Sequence, residues 1–486
     1  MQRIQFDKGA QMIRNLTITM ALFLACASAP AATCTWTGSG GNDKWSSVTN
    51  WNNCGGAHAL PANGDTLVFP NATSRLTNTN DLATLQLAAL QFNGLNYDIS
   101  GNAITLSGGI TTNTPVGGLA DLGPRFRPNI TLTADQTFFC PAGKFLYIDG
   151  TLDIGAHTLV VDGGPGSCNT ALRGAISGSG GIQKFENGTL FLSNANNTFG
   201  GETLIGGGAI FVNANAGLGA GTASGGGTSV QPGTTLALYG GITSPEFIYL
   251  DGGTLENFLG DNGTTYQIEL EADSSVDVVY PDDTLTVNRA YGQYLLTKEG
   301  PGTFVLNGVE VDPALVVSEG TVELNAPATA PIEIKAGARL SGTGHMGYPT
   351  TIDSGGTLAP GSPANPGTIS GSVLTWYDLS NIRIRLGKRS DRILLSGNLN
   401  ALGAEEHQFV FVDGDTPPKA GDQYTLAEYA SSSGLEAAGD LNSAYVYQGT
   451  GAGATLTGTF NVGLTALTFT VTAASSDLVF RSGYEH

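Results

Sequence analysis

Apolar and polar side chains alternate with a period of two in short runs along most of the chain. The stretch YIDGTLDIGAHTLVVDG (residues 147–163) is the clearest case, and NGTLFLS, GGAIFVN, GTTLALYG and DGGTLENF repeat its form further on. Such alternation marks half-buried β-strands. No comparable window carries the i, i+3, i+4 spacing of an amphipathic helix, so the strand–helix alternation of a parallel α/β fold is missing. The expected fold class is all-β.

The strands recur at a near-fixed step. Gly188, Gly208, Gly233 and Gly253 enter successive runs at intervals of roughly 20 residues, and Gly302, Gly320, Gly337 and Gly356 continue at a slightly shorter and more regular one. A repeat of this length cannot bury its apolar face alone; stacked copies can, at ~4.8 Å per layer with backbone hydrogen bonds between layers. Glycine and asparagine supply the corners where the chain turns. The expectation is therefore a parallel β-helix (β-solenoid) over residues 73–375, roughly 15 coils long. An N-terminal cap over 32–72 and a β-rich cap over 376–472 flank it. The wider interval from Gly253 to Gly302 implies a side loop or a degenerate coil, and a functional surface is expected there or at the Trp-rich N-terminal end.

Composition narrows the class. Glycine is 70 of 486 residues and only 13% of residues are charged, which is too apolar for a disordered chain. The net charge of −20 argues against nucleic acid as a partner, because phosphate binding needs a basic face.

The N-terminus reads as a secretory signal peptide, residues 1–31: Arg14, then the apolar run from Ile18 to Cys26, then small residues with Ala29-Pro30-Ala31 at the cleavage site. Met12 begins a complete signal by itself, and Phe23-Leu24-Ala25 before Cys26 makes a poor lipobox. No other run approaches the ~20 apolar residues of a spanning helix, so no transmembrane segment is expected in the mature chain, which is secreted or at the cell surface. Removal of the signal leaves Cys34, Cys54, Cys140 and Cys168. An even count in an exported chain implies two disulfides, and of the three pairings sequence proximity favours Cys34 with Cys54 and Cys140 with Cys168. Trp36, Trp45 and Trp51 cluster between the first two of these cysteines. They offer either a sugar-stacking patch or a cover for the first coil.

The stretch GGIQKFENGTLFLSNANNTFGGETLIGGGAIFV (residues 180–212) resembles the autotransporter-associated β-strand repeat. Lys184 ends a strand, Gly188-Thr189-Leu190 begins the next, Asn197-Thr198-Phe199-Gly200-Gly201 makes the turn and Gly207-Gly208 opens the following strand. LLTKEGPGTFVLNG (295–308) repeats the first half, with Lys298 in the place of Lys184. The resemblance, which extends over most of residues 33–470, implies a right-handed β-helix outside a Gram-negative cell, without cofactor and with extracellular polysaccharide or cell-surface components as partners. Members with a fused translocator end in a large β-barrel, for which the short stretch after position 374 leaves no room.

The C-terminal region holds the densest basic run, Arg383, Arg385, Lys388, Arg389 and Arg392. It reads either as a patch for anionic polysaccharide or as solvated positions on two amphipathic strands, with further antiparallel strands after it. Within the tail 473–486, Val479 to Glu485 resemble the short C-terminal tails of many exported proteins, which leaves either a sorting role or a frayed last strand. No nucleophile elbow, zinc-protease motif or phosphate loop occurs, and the five histidines are scattered singly, so no catalytic residue or metal site is assigned. GTGHMG (342–347) has the spacing of a dinucleotide-binding loop but lacks the following helix. Right-handed β-helices also host polysaccharide lyases and glycoside hydrolases, and the best acidic run for that alternative is Glu269, Glu271, Asp273 and Asp277, with Asp282 and Asp283 beyond.

Overall fold

The computed structural model describes residues 31–55, 59–71, 74–83, 85–113, 123–141, 145–220, 226–308, 311–435, 445–450 and 454–475. The signal segment up to residue 30, His58 and the tail from 476 lie outside the described residues. Within them the chain is all-β, with a 3-10 turn at Val48–Asn50 and no α-helix.

Each turn of the solenoid lays one strand on each of three faces. In one complete turn Leu159–Asp162 lies on the first face, Asn169–Leu172 on the second and Ile176–Ser177 on the third. Ile182–Phe185 then returns to the first face, in parallel register with the strand one turn earlier, Leu159 beside Ile182. The second face is the most regular. Its 17 strands form an uninterrupted parallel ladder from Thr77–Asn80 to Ser431–Ser433, about 80 Å along the axis at ~4.8 Å per layer. The inward positions stack by register, as in Leu190, Ile210, Leu236, Leu255 and Val276, all fully buried. This stacking is the reason for the repeat: every layer is half of its neighbour's core.

The regular glycine ladder belongs to the third face. Phe304, Val322, Leu340 and Leu358 stack there, one from each successive turn. Gly188, Gly208, Gly320 and Gly337 take positive φ, whereas Gly302 and Gly356 do not and are required for space. A Cβ on Gly302 would stand 2.4 Å from the Tyr280 carbonyl oxygen. Between Gly253 and Gly302 there is no side loop. Asn262–Leu270 and Thr284–Tyr291 are long strands that wrap the corner between the third and first faces. Gly263–Thr264 pair with Thr243–Ser244, and Ile268–Leu270 with Ile248–Leu250.

Two inward core positions are occupied by lysine. Lys184 stacks between Val161 and Ile205, and Lys298 between Val276 and Val317, each at most 1% exposed. Their ammonium groups reach back to the turns. Lys184 Nζ donates to the carbonyls of Phe185, Glu186, Asn187 and Gly207 at 2.8–3.2 Å. Lys298 Nζ donates to those of Glu299, Gly300 and Glu319 at 2.6–3.3 Å. A buried turn leaves carbonyls without partners, and one ammonium satisfies several. Burial pushes both lysines down to about 8.

Both ends of the stack are closed. At the start, Thr33–Trp36 pairs parallel with Thr66–Phe69 and antiparallel with Trp51–Asn52. At the other end the parallel ladders run well past residue 375. Asn381–Leu386, Gln408–Asp413 and Tyr445–Gln448 continue the third face. Among the described residues antiparallel pairing at this end is confined to a hairpin, Thr455–Val462 with Ala466–Ser475, set against Gln423–Glu428. The alternation in NIRIRL and QFVFVD is identical for parallel and antiparallel partners, so it reports burial and not pairing. Phe460 and Phe469 of the hairpin pack on Phe411 and cover the last layer. Cys34–Cys54 and Cys140–Cys168 are joined, with Cα atoms 4.5 and 5.5 Å apart.

Candidate functional site: an aromatic groove on the second face

The register of the second face brings outward side chains from many turns into one line. Arg125, Tyr147, Ala171, Phe191, Phe211, Ala237, Glu256, Asp277 and Glu299 are successive Cα partners. The line changes character along the axis: cationic, then aromatic, then acidic. Its aromatic part is widened by Phe145, Tyr239 and Phe258 from the flanking columns. Ring centroids follow one another at 6.1 Å (Phe145–Phe191), 5.7 Å (Phe191–Phe211) and 5.3 Å (Phe211–Phe258). Phe258 then meets Tyr280 at 6.4 Å, and these two are 37% and 44% exposed. Where the column carries alanine the surface dips. The resulting cavity of about 400 Å³ is walled by Tyr147, Phe191, Phe211 and Tyr239, with Arg173, Ser193 and Asn213 as its polar edge.

At the cationic end Tyr147 is covered on its ring by two guanidinium groups, Arg125 at 4.9 Å and Arg173 at 4.4 Å from the centroid. Asp149 binds Arg125 at 3.0 Å and lies 3.5 Å from Arg127, which holds Asp98 with both ends of its fork. That pairing keeps the Asp98 carboxyl below its ordinary range. At the acidic end Glu256 and Asp277 stack on adjacent turns. Burial, joined by the neighbouring Asp277 charge, raises Glu256; burial raises Asp277 against the pull of Lys298.

The three N-terminal tryptophans are not at this surface. Trp36, Trp45 and Trp51 are 0–3% exposed and pack edge to face, with Trp45 and Trp51 continuing onto Phe69. Their indole N–H groups donate to the Arg75 carbonyl, Asn78 Oδ1 and the Trp45 carbonyl at 2.7–2.9 Å. A sugar cannot stack on a ring with both faces covered, so these side chains plug the first coil. Arg385 is likewise interior. It donates from Nε and Nη2 to the two oxygens of Asp391 at 2.8 and 3.0 Å, and neither side chain is open to an anion. Arg383 is half-buried, and burial next to Arg385 lowers it. The acidic run divides at a corner: Glu269 is on the first face, Asp273 accepts the Leu295 amide at 2.9 Å, and Asp277 is on the second face. Among the described residues no group of three or more His, Cys, Asp or Glu is placed to hold a metal ion.

Composition does not pick out the aromatic column, because Phe and Tyr are scattered in sequence. Its signal is positional. In TLFL and AIFV, one turn apart, the phenylalanine sits at the outward position between two buried aliphatic residues. Fold and surface together define a β-solenoid with an elongated aromatic groove along one flat face. No family model matches the chain, and no curated protein matches it either. Among the described residues no helix is long and apolar enough to cross a membrane.

Proposed function

We propose that the chain is an exported β-solenoid of the autotransporter-associated repeat type with an adhesin-like role, whose second face binds extended glycans without cleaving them. The observation that carries this reading is the file of outward aromatic rings from Phe145 to Tyr280, edged by Arg173, Ser193 and Asn213. Pyranose rings present apolar faces that pack on aromatic side chains and hydroxyls that need polar partners at the rim, as small-molecule sites in general do. Four cysteines paired as two disulfides support an oxidising, extracytoplasmic destination, in line with the apolar run from Ile18 to Cys26.

The test is binding of the chain from residue 32 onward to a panel of soluble acidic and neutral polysaccharides, with and without calcium, while reducing ends and unsaturated uronides are monitored. Binding without product, weakened about tenfold or more by Phe191→Ala or Phe211→Ala, is the expected result. The alternative is a β-helix polysaccharide lyase or glycoside hydrolase, and the observation that favours it is the Glu256 and Asp277 pair on adjacent turns at the end of the groove. Product release that Glu256→Gln abolishes would establish that alternative and end the non-enzymatic reading.

A further inference from the structure

The groove's cationic end is unevenly neutralised. Arg125 binds Asp149 at 3.0 Å, and Arg127 binds both oxygens of Asp98 at 2.6 and 2.9 Å. Among the described residues, three guanidinium groups thus face two carboxylates. The excess falls on Arg173. Its nearest carboxylate oxygen among those residues, on Asp149, is 3.8 Å away, outside hydrogen-bond range, while 43% of its side chain stays exposed. Its position is fixed all the same. The guanidinium stacks on Tyr147 at 4.4 Å, beside the dip that Ala171 leaves between Tyr147 and Phe191. Among the described residues Arg173 is the one charged side chain lining the cavity. A stacked guanidinium offers its N–H edge as a planar fork, and such a fork matches a carboxylate or sulfate oxygen pair.

On the glycan-binding reading of the same groove, we infer that Arg173 makes it selective for acidic sugars, with the anionic substituent against the guanidinium and the sugar ring on Phe191 and Phe211. The far end sets the direction and the limit. Glu256, Asp277 and Glu299 continue the same column beyond Ala237. They repel a uniformly anionic chain, so the acidic unit lies at the Tyr147 end and a long polyanion gains nothing over a short one. The net charge of −20 acts in the same sense, so recognition depends on the local guanidinium and not on long-range attraction.

The experiment compares calorimetric affinities for oligogalacturonate, its fully methyl-esterified form and a sulfated oligosaccharide, on the wild type and on Arg173→Gln, Arg173→Lys and Phe191→Ala. Circular dichroism checks that each variant is folded; the exposed Arg173 side chain makes its replacement compatible with the fold. The acidic oligomer is expected to bind about tenfold or more tightly than its ester. Arg173→Gln lowers the acid's affinity far more than the ester's and so removes that preference, Arg173→Lys restores part of it, and Phe191→Ala weakens both ligands alike. A sulfated ligand with the same Arg173 dependence extends the class to sulfate esters; its failure confines the class to carboxylates. Equal binding of acid and ester by the wild type overturns the inference and leaves glycan binding standing. An equal loss of both ligands in Arg173→Gln overturns it as well, since the residue is then part of the platform only. No binding of any of the three overturns both.

Discussion

Glu246 offers a quantitative test of how the interior is built. The residue is 2% exposed. Its Oε1 accepts a hydrogen bond from Thr228 Oγ1 at 3.2 Å, and its Oε2 is buried without a hydrogen-bond partner among the described residues. Burial pushes the carboxyl up to about 7, against a small opposing effect of the Thr228 hydroxyl. The unfolded chain releases this proton near the ordinary glutamate value of 4.5, so between there and about 7 the folded protein holds a proton that the unfolded chain has lost. Stability therefore falls as pH rises through that window, and above about 7 the whole cost is present. A shift of this size corresponds to about 3 kcal/mol. Glu246→Gln keeps the acceptor for Thr228 and has no proton to lose. The variant should match the wild type near pH 4.5 and exceed it by about 3 kcal/mol at pH 8. The assay is urea denaturation of both proteins at several pH values from 4.5 to 8. General acid or base effects act on both, so the difference between them isolates the one carboxyl. A variant that is no more stable at pH 8, or a difference that does not grow with pH, would show that Glu246 is not held as a buried neutral carboxyl.

Other substitutions probe the remaining elements. Lys298→Met preserves core volume but strips the Glu299, Gly300 and Glu319 carbonyls of their donor; a loss of about 3 kcal/mol in urea denaturation is expected, and an unchanged midpoint would show that the ammonium does not hold the turn. Trp45→Ala opens a void in the N-terminal plug and should cost about 3 to 5 kcal/mol with glycan affinity intact; loss of binding in a folded variant would restore the tryptophans as a ligand site. Asp391→Ala leaves the Arg385 charge buried without its partner, for an expected cost of about 3 to 5 kcal/mol, read by thermal unfolding against a smaller effect of the exposed-pair variant Asp415→Ala. Gly320→Ala must place a Cβ 2.5 Å from two carbonyl oxygens at φ +66°, so it should destabilise by at least about 1 kcal/mol, whereas a neutral result would mean that the turn relaxes freely.

The architecture is legible in the sequence because it is written as a period. The alternation in 147–163 and the glycine steps after Gly302 report layers that bury the same face, and the register Phe304, Val322, Leu340, Leu358 is the physical form of that spacing. The resemblance to the autotransporter-associated repeat rests in part on Lys184 and Lys298, and the structure supplies the physical role of those two residues: inward positions whose ammonium groups satisfy turn carbonyls. The site is harder to see. Phe191 and Phe211 are far in sequence from Arg125 and Glu256, and only the register between turns puts them in line. Aromatic density in sequence points instead to Trp36, Trp45 and Trp51, which the fold concentrates in the core. Charge density points to Arg385, which a buried aspartate on the same turn, Asp391, neutralises. Neither density nor alternation distinguishes a side chain that faces water from one that faces a partner.

A crystal structure with a bound oligosaccharide from the affinity panel tests most directly whether the second face is a glycan platform. Sugar rings are expected along the solenoid axis on Phe145, Phe191 and Phe211, with polar contacts to Arg173, Ser193 and Asn213. Density for the sugar on the first face near Glu269 and Glu271, or at the Trp-rich end, with the aromatic column bare, would contradict that expectation.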